Sequence, residues 1–345
     1  MTRLAAVEEA SALIAPRSEA LKSPKIAVLI PCFQEEAAIG KVVRDFRRAL
    51  PQATIYVYDN NSRDRTAEVA REAGAVVRHE SQQGKGHVVR RMFRDIDADF
   101  YLMVDGDGTY DVSAADEMIA LARSGPFDLV NCVRHQIGQT AFRPGHRFGN
   151  ELLTGAVRRI FGNRVVDMLS GYKCLSRRFV KSFPALAQGF DIETELTVHA
   201  LEAAMPISNV RGLYRDRASG TQSKLRTFRD GWRILRMILR LVRHERPLVF
   251  FGLLAAVLAT AAIGVAIPVF VTYFQTGLVP RLPSAVLATG AMLLAALFLV
   301  AGIILDTVSR GRREMRLLAY LQYPHFPLKD ESEGEVAPPM RSGGE

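Results

Sequence analysis

The first part of the chain alternates continuous apolar runs with stretches whose apolar positions recur every three or four residues. Ile26-Ala27-Val28-Leu29-Ile30 is one such run, and Pro31 is expected to stop it. A strand buried on both faces reads this way. Glu35 to Leu50 then places Ile39, Val42, Val43 and Phe46 on one helical face. Thr54–Tyr58, Ala75–Val77, Phe100–Val104 and Asp128–Cys132 repeat the strand pattern. Helical stretches over Arg65–Ala73 and from Gly84 to about Ile96 separate the first of these. Short strands alternating with helices predict an α/β fold with a mostly parallel, Rossmann-like sheet covered on both faces. Ligands of such sheets bind beyond the carboxyl ends of the strands.

Later the pattern changes. His135–Arg147 reads as a loop, Phe148–Phe161 as a helix, Ser170–Leu175 as a strand and Ile192–Ala203 as a helix. Residues 211–223 read as polar and irregular. From Leu225 to Arg246 the apolar residues Phe228, Trp232, Leu235, Ile238, Leu239 and Val242 recur at helical spacing between arginines, which predicts an interfacial helix. Pro247–Phe274 and Ala285–Leu305 each contain an uncharged apolar stretch long enough for a bilayer, which needs about 20 residues. The expected organisation is a tail over 1–24, an α/β domain over 25–224, a juxtamembrane helix over 225–246, a transmembrane hairpin over 247–306 and a C-terminal tail over 307–345.

Charge sharpens this division. The 345 residues carry a net charge of +9, and arginines gather on both flanks of the apolar block, from Arg226 to Arg246 and from Arg310 to Arg316. The loop between the spans holds only Arg281. The positive-inside rule then puts the α/β domain and the C-terminus in the cytoplasm. A basic chain also suits nucleic acid, but no nucleic-acid motif is present. Cys32, Cys132 and Cys174 have no metal-binding or disulfide spacing. Small residues in the spans, among them Gly252, Gly264, Gly290 and Gly302, suit close packing within one hairpin or in a homo-oligomer.

Carboxylates stand just past three strand ends: Glu35, Asp59 and the pair Asp105 and Asp107. Paired oxygen ligands suit Mg2+ or Mn2+ bound to a diphosphate, although Asp-Gly-Asp is also ordinary turn chemistry. Asp59 can accept the N3–H of uracil or the N1–H and N2–H of guanine. Asp64 is better placed to cap the following helix. Gly84-Lys85-Gly86 suits either a phosphate-approaching loop or a plain turn.

Five segments in order, Pro31-Cys32-Phe33-Gln34-Glu35-Glu36, Asp59-Asn60-Asn61-Ser62-Arg63-Asp64-Arg65-Thr66, Asp105-Gly106-Asp107, Ser170-Gly171-Tyr172-Lys173 and Arg217 through Leu225, resemble the GT-A glycosyltransferases of family 2. Within that family the chain is similar to the polyprenyl-phosphate (dolichol-phosphate-mannose-synthase-like) branch over roughly residues 25–230. The resemblance implies a nucleoside pocket that includes Pro31, Phe33, Glu35, Asp59, Asn61, Lys85 and Asp105. It implies a metal on Asp107 with Asp105, and an acceptor-phosphate site that uses Arg134, Arg217 and Lys224. It also implies a carboxylate near the acceptor from the group Asp191, Glu193 and Glu195, with Glu195 best placed by spacing. A Gln common in the branch is replaced by Thr109, which leaves Thr109, Asp111 or water as the third ligand.

The implied reaction moves one sugar from a nucleotide-sugar to an undecaprenyl-type phosphate at a bacterial-type inner membrane, making a donor for envelope or lipopolysaccharide glycans. UDP-glucose, UDP-galacturonate and GDP-mannose all remain open as donors. A processive polysaccharide synthase is disfavoured by the missing Gln-x-x-Arg-Trp motif and the few spans. An inactive scaffold is disfavoured by the retained Asp59, Asp105, Asp107, Arg217 and Lys224.

Overall fold

The computed structural model describes residues 23–136, 155, 166–185, 192–215, 239, 242–244 and 246–326. Asp191, Arg217, Lys224, all but residue 155 of the helix expected over 148–161 and most of the 225–246 helix lie outside the described residues. So do residues 1–22 and 327–345.

β1 (Ile26–Cys32), α1 (Glu36–Ala49), β2 (Thr54–Asp59), α2 (Thr66–Glu72), β3 (Val76–His79), α3 (Lys85–Asp95) and β4 (Phe100–Met103) follow one another as expected. Then come α4 (Ala114–Ser124), β5 (Leu129–Gln136), β6 (Lys173–Ser176), α5 (Arg177–Ser182), α6 (Ile192–Glu202) and β7 (Ile207–Tyr214). The sheet runs β3-β2-β1-β4-β6-β5-β7. All neighbours are parallel except β6, which is antiparallel to both β4 and β5.

β1 is buried along its whole length, so its alternating side chains feed two cores. Ile26, Val28, Ile30 and Cys32 meet Ile39, Val43 and Phe46 of α1 and Met118 of α4 on one face. Ala27 and Leu29 meet Met92 of α3, Phe179 of α5 and Leu196 of α6 on the other. Emptying one such site, for example Ile39→Ala, costs about 2–5 kcal/mol.

Several boundaries differ from the sequence expectation. Pro31 does not end β1, which continues to Cys32 beside β2. The ladder to β4 stops at Leu29 and Met103. Cys32 turns its carbonyl to Asn60 of the β2 side, so alternation points the Pro31 nitrogen toward the side where β4 has already ended. Its missing N–H therefore costs no ladder bond. β5 runs on through Arg134 and His135 to Gln136, so these residues do not open a loop. Parallel pairing with β7 sustains it, from Leu129↔Ile207 to Gln136↔Tyr214. Residues 211–214, expected to be irregular, form the end of this edge strand.

α7 (Pro247–Thr276) and α8 (Leu282–Leu321) are long and apolar enough to cross a membrane, each with a mean hydropathy of 2.5 in its best window. At about 1.5 Å per residue both exceed the ~30 Å hydrocarbon thickness. Leu253, Phe270, Val286 and Leu297 stand exposed along them, as lipid-facing residues would. The helices pack together at Gly302, where an added Cβ would lie 3.1 Å from Phe251 Cβ and 3.5 Å from Leu248 Cα. Packing within the hairpin thus accounts for Gly302.

The segment expected as a tail from residue 307 begins as a continuation of α8. The Tyr320 hydroxyl donates to Asp128 Oδ2 (2.7 Å), and the Phe326 ring lies 5.3 Å from that of Phe100. The long apolar helix α8 is therefore built into the α/β domain.

Candidate active site

The loops after β1 and β2 brace each other. Gln34 and Asn61, neither of them glycine, adopt φ values of 56° and 63°. Such backbone persists only where surrounding bonds enforce it, and it gathers at functional sites. The Gln34 N–H donates to Ser62 Oγ (2.9 Å) and the Glu35 N–H to Thr66 Oγ1 (2.9 Å). Asp64 Oδ1 accepts the Thr66 N–H at 3.1 Å in the first turn of α2, the helix-end role expected of it.

Asp59, buried at the end of β2, accepts the Ser62 N–H and lies 3.4 Å from His79 Nδ1. Asn60 donates to the carbonyls of Glu80 and Gln82 and accepts the Gly84 N–H at 2.7 Å. Asn61 donates to the Ser81 carbonyl. These two amides fasten the loop that delivers Lys85, and in Asn61 this bracing occupies the amide expected at the nucleotide.

Lys85 opens α3 and turns inward. Its ammonium pairs with Asp105 and with Glu193 Oε1, at 2.5 Å for the latter. Lys85 and Glu193 side chains are only 9% and 7% exposed. Burial alone would drive the lysine neutral, but Asp105 and Glu193 more than offset it and raise its pKa. Burial also raises Glu193, opposed by Lys85 and reinforced by Asp105. Glu193 Oε2 is buried without a hydrogen-bond partner among the described residues. Gly171 passes so close that a Cβ there would lie 2.3 Å from Asp105 Oδ2, which explains a glycine in the Ser170–Lys173 segment.

Asp107 is held from its own turn, since Oδ1 accepts both the Thr109 N–H (3.1 Å) and the Thr109 hydroxyl (2.7 Å). Beyond it, Tyr110 and Tyr214 pack edge to face at 5.1 Å, and the Tyr110 hydroxyl accepts the Gly171 N–H. The Arg134 guanidinium lies 5.5 Å from the Tyr214 ring centre. It is forked onto Asp167 through Nε (2.7 Å) and Nη2 (2.8 Å). The fork holds the Asp167 carboxyl below its usual range despite burial. Asn131 links this pair to Lys173, donating to the Asp167 carbonyl and accepting the Lys173 ammonium at 2.6 Å. Burial lowers Lys173 to about 8.

One buried group reports how the strand ends converge. The Cys32 thiol is pushed up first by burial, then by the fields of Glu35, Asp59, Asp105 and Asp107. Cys32 pairs with Asp59 across the β1–β2 ladder, and a Cβ on Gly106 would lie 2.5 Å from Cys32 Sγ, so Glu35, Asp59, Asp105 and Asp107 all sit on the turns that leave the carboxyl ends of β1, β2 and β4 near this thiol.

The profile described as Glycosyl transferase family 2 matches residues 27–182, which include this whole group of strand ends. Glycosyltransferase AglJ of Haloferax volcanii is 31% identical over 307 residues, covering 86% of this chain and 98% of that protein. The chain belongs to glycosyltransferase family 2. Dolichyl-phosphate hexose transferase of the same organism is 28% identical over 221 residues, 64% of this chain and 95% of the relative. Among solved structures, glucosyl-3-phosphoglycerate synthase of Mycobacterium tuberculosis in complex with Mn2+, uridine-diphosphate and glucosyl-3-phosphoglycerate superposes with a TM-score of 0.52. It is 21% identical, with 64% of this chain and 79% of that chain covered. The fold is therefore GT-A-like.

The glycosyltransferase brings Glu35, Asp59, Lys85, Asp105 and Asp107 together, with Pro31 and Phe33 at the mouth of the same β1 end. Arg134 lies along the far side, inside β5 and not after it, already paired to Asp167. Of the acidic group Asp191, Glu193 and Glu195, Glu193 pairs with Lys85, which also pairs with Asp105. Glu195 is two positions on, about 200° around the helix. No local pattern distinguished the two. The usable signal was that a lysine past one strand end and an acid at a helix start must both face the carboxyl edge of the sheet.

The oxygen-only donor set of Asp105 and Asp107 fits a hard divalent cation that takes its other ligands from phosphate and water. Both side-chain candidates for a third ligand have other partners. Thr109 serves Asp107, while Asp111 accepts the Ser113 N–H and pairs with Arg215.

Proposed function

We propose that this glycosyltransferase moves a single sugar from a nucleotide-sugar to a polyprenyl phosphate of the undecaprenyl type, with inversion at the anomeric carbon. The placement of Glu35, Asp59, Asp105 and Asp107 just past the carboxyl ends of β1, β2 and β4, with Lys85 paired to Asp105 among them, carries this reading. The build of α8, which enters the domain from an apolar span, supports a lipid acceptor. So does the similarity to proteins named as dolichyl-phosphate hexose transferase and undecaprenyl-phosphate 4-deoxy-4-formamido-L-arabinose transferase.

In this reading the carboxylate of Asp59 accepts the imide N–H of the base, and Pro31, Phe33 and Glu35 line the nucleoside. Mg2+ or Mn2+ on Asp107 and Asp105 would neutralise the diphosphate when bound. Lys85 adds a fixed positive charge beside Asp105, which requires no reorganisation as charge develops on the leaving group. Glu193 offers its Oε2, which has no hydrogen-bond partner among the described residues, to a sugar hydroxyl. An oxygen of the lipid phosphate attacks C1, the C1–O bond to the diphosphate breaks, and its electron pair leaves with the nucleotide. The acceptor has a second pKa near 6, so it is largely dianionic at neutral pH and needs no general base. Arg134 faces this acceptor, with Arg217 and Lys224 assigned to the same phosphate by the family motif. A UDP-hexose or UDP-hexuronate is the favoured donor, with GDP-mannose the alternative. The arginines that flank the hairpin support a position of the domain on the cytoplasmic side of an inner membrane in this reading.

The test offers labelled UDP-sugars and GDP-mannose with polyprenyl phosphate and Mn2+ to the full-length protein and follows label into organic-extractable lipid. The expected result is a labelled lipid with one donor and none with Asp107→Ala. No lipid product from any donor, under conditions where a control synthase works, overturns the reading.

A further inference from the structure

α6 is held by ionic contacts at both ends. At its start Glu193 grips Lys85, which also grips Asp105. At its last residue Glu202, whose side chain is 2% exposed, pairs with Arg316 and lies 3.8 Å from Arg313. Both arginines belong to α8, the helix that leaves the domain as an apolar span. Between the two grips α6 is packed along its length, since Ile192, Leu196 and Ala200 share one core with Val88, Met92, Phe179 and Tyr320. An 11-residue helix spans about 16 Å and transmits displacement as a rigid body.

We propose that α6 is a strut between the membrane helix and the donor site, with Glu202 as its positioning residue. The arginines of α8 hold Glu202, Glu202 sets the position of α6, and α6 sets where Glu193 holds Lys85. The identity of the ligand at Lys85 rests on the function proposed above; the strut itself does not. Orienting the span in a bilayer thereby fixes the geometry at Asp105, which suits an enzyme whose two substrates arrive from water and from lipid.

Two measurements on the full-length protein in nanodiscs test it. The first is the acylation rate of Lys85 by acetic anhydride, followed by peptide mass spectrometry, which needs no substrate. Glu202→Gln is expected to raise that rate at least threefold. Tyr320→Phe, which loses the bond to Asp128 at the same docking surface without touching Glu202, is expected to leave it unchanged. The second is the Kd for UDP or GDP with Mn2+ by calorimetry, expected to rise at least fivefold in Glu202→Gln. The same substitution in a Glu193→Gln background is expected to change Kd less than twofold, because the far grip is already released. A Lys85 rate that is unchanged in Glu202→Gln, or raised equally by Tyr320→Phe, overturns the strut and reduces Glu202 to a stability contact. Wild-type protein that binds neither nucleotide overturns the donor-site reading, while the acylation rates still decide the strut.

Discussion

Lys85→Met isolates the electrostatic core of the site. The substitution keeps much of the side-chain volume and removes the cation that the described residues place between Asp105 and Glu193. Two carboxylates are then left without their shared cation, and the buried one, Glu193, has no hydrogen-bond partner for its Oε2 among the described residues. Removing one partner of a buried pair costs about 3–5 kcal/mol, which is roughly 6–20 °C of Tm for a domain of this size. The loss should depend on pH. Without Lys85 the Glu193 carboxyl, already raised in the folded protein, rises further. A carboxyl whose folded pKa lies above its unfolded value stabilises fully at low pH, and that stability is lost as pH rises through and beyond the unfolded value. The gap between wild type and Lys85→Met should therefore widen from pH 5 to pH 8. The double variant Lys85→Met/Glu193→Gln should recover at least half of the loss at pH 8. Thermal unfolding in detergent at both pH values measures each quantity. A gap independent of pH, or a double variant no more stable than Lys85→Met, refutes the assignment of a buried, charge-compensated triad.

Three further outcomes follow from the same geometry. Thr109→Val removes the hydroxyl bond to Asp107 and should weaken Mn2+ binding about 10–100-fold, as loss of an outer ligand partner does; titration followed by electron paramagnetic resonance decides it, and unchanged affinity excludes the orienting role. Asp59→Asn replaces an acceptor by a mixed donor and acceptor, and should weaken UDP binding by about 1.5–3 kcal/mol, the range of a hydrogen bond to a charged group; equal calorimetric affinities for the two proteins would place the base elsewhere. His199, buried between Phe179 and Phe183 and beside Ser182, is lowered to about 3 by burial and by Arg316. The unfolded chain takes a proton near pH 6.5 and the folded one does not, so stability holds above that pH and falls by about 2 kcal/mol by pH 5. Substitution by Gln should flatten this slope in denaturant titrations.

What could be read from the residues alone follows from where each signal lives. β1, β2 and β4 announce themselves because parallel strands buried on both faces must be continuously apolar. α1 and α3 do so through side chains such as Phe46, Val88 and Met92 at helical spacing. α4 carries its buried stripe mostly in alanines, with Met118 and Ile119 as its only large buried members, so few bulky side chains mark its period. β7 pairs with one neighbour only, and its exposed Asn209 and Arg211 give the polar alternation of an edge strand. Arginines from Arg310 to Arg316 end an apolar run, yet they favour a helix as well as the leucines before them do. Composition marks where a bilayer can end and is silent on where α8 ends.

The carboxylates past the strand ends were legible for the same reason as the strands. A turn after a buried strand delivers its polar residues to one edge of the sheet, whatever their separation in sequence. Asp59 and Asp105 needed only strand assignments to be brought together. The partner of Lys85 needed more, because Glu193 is 108 residues away and Glu195, two positions on, stands about 200° around α6 from it. Only the seat of α6 on the sheet brings Glu193 to Lys85, and that seat depends on the core beneath it and on the grip of Arg316 at its far end. The phase of a helix is a tertiary property. A site assembled from strand ends can be read from sequence as a group, whereas the one side chain supplied from a packed helix is fixed by everything that holds the helix in place.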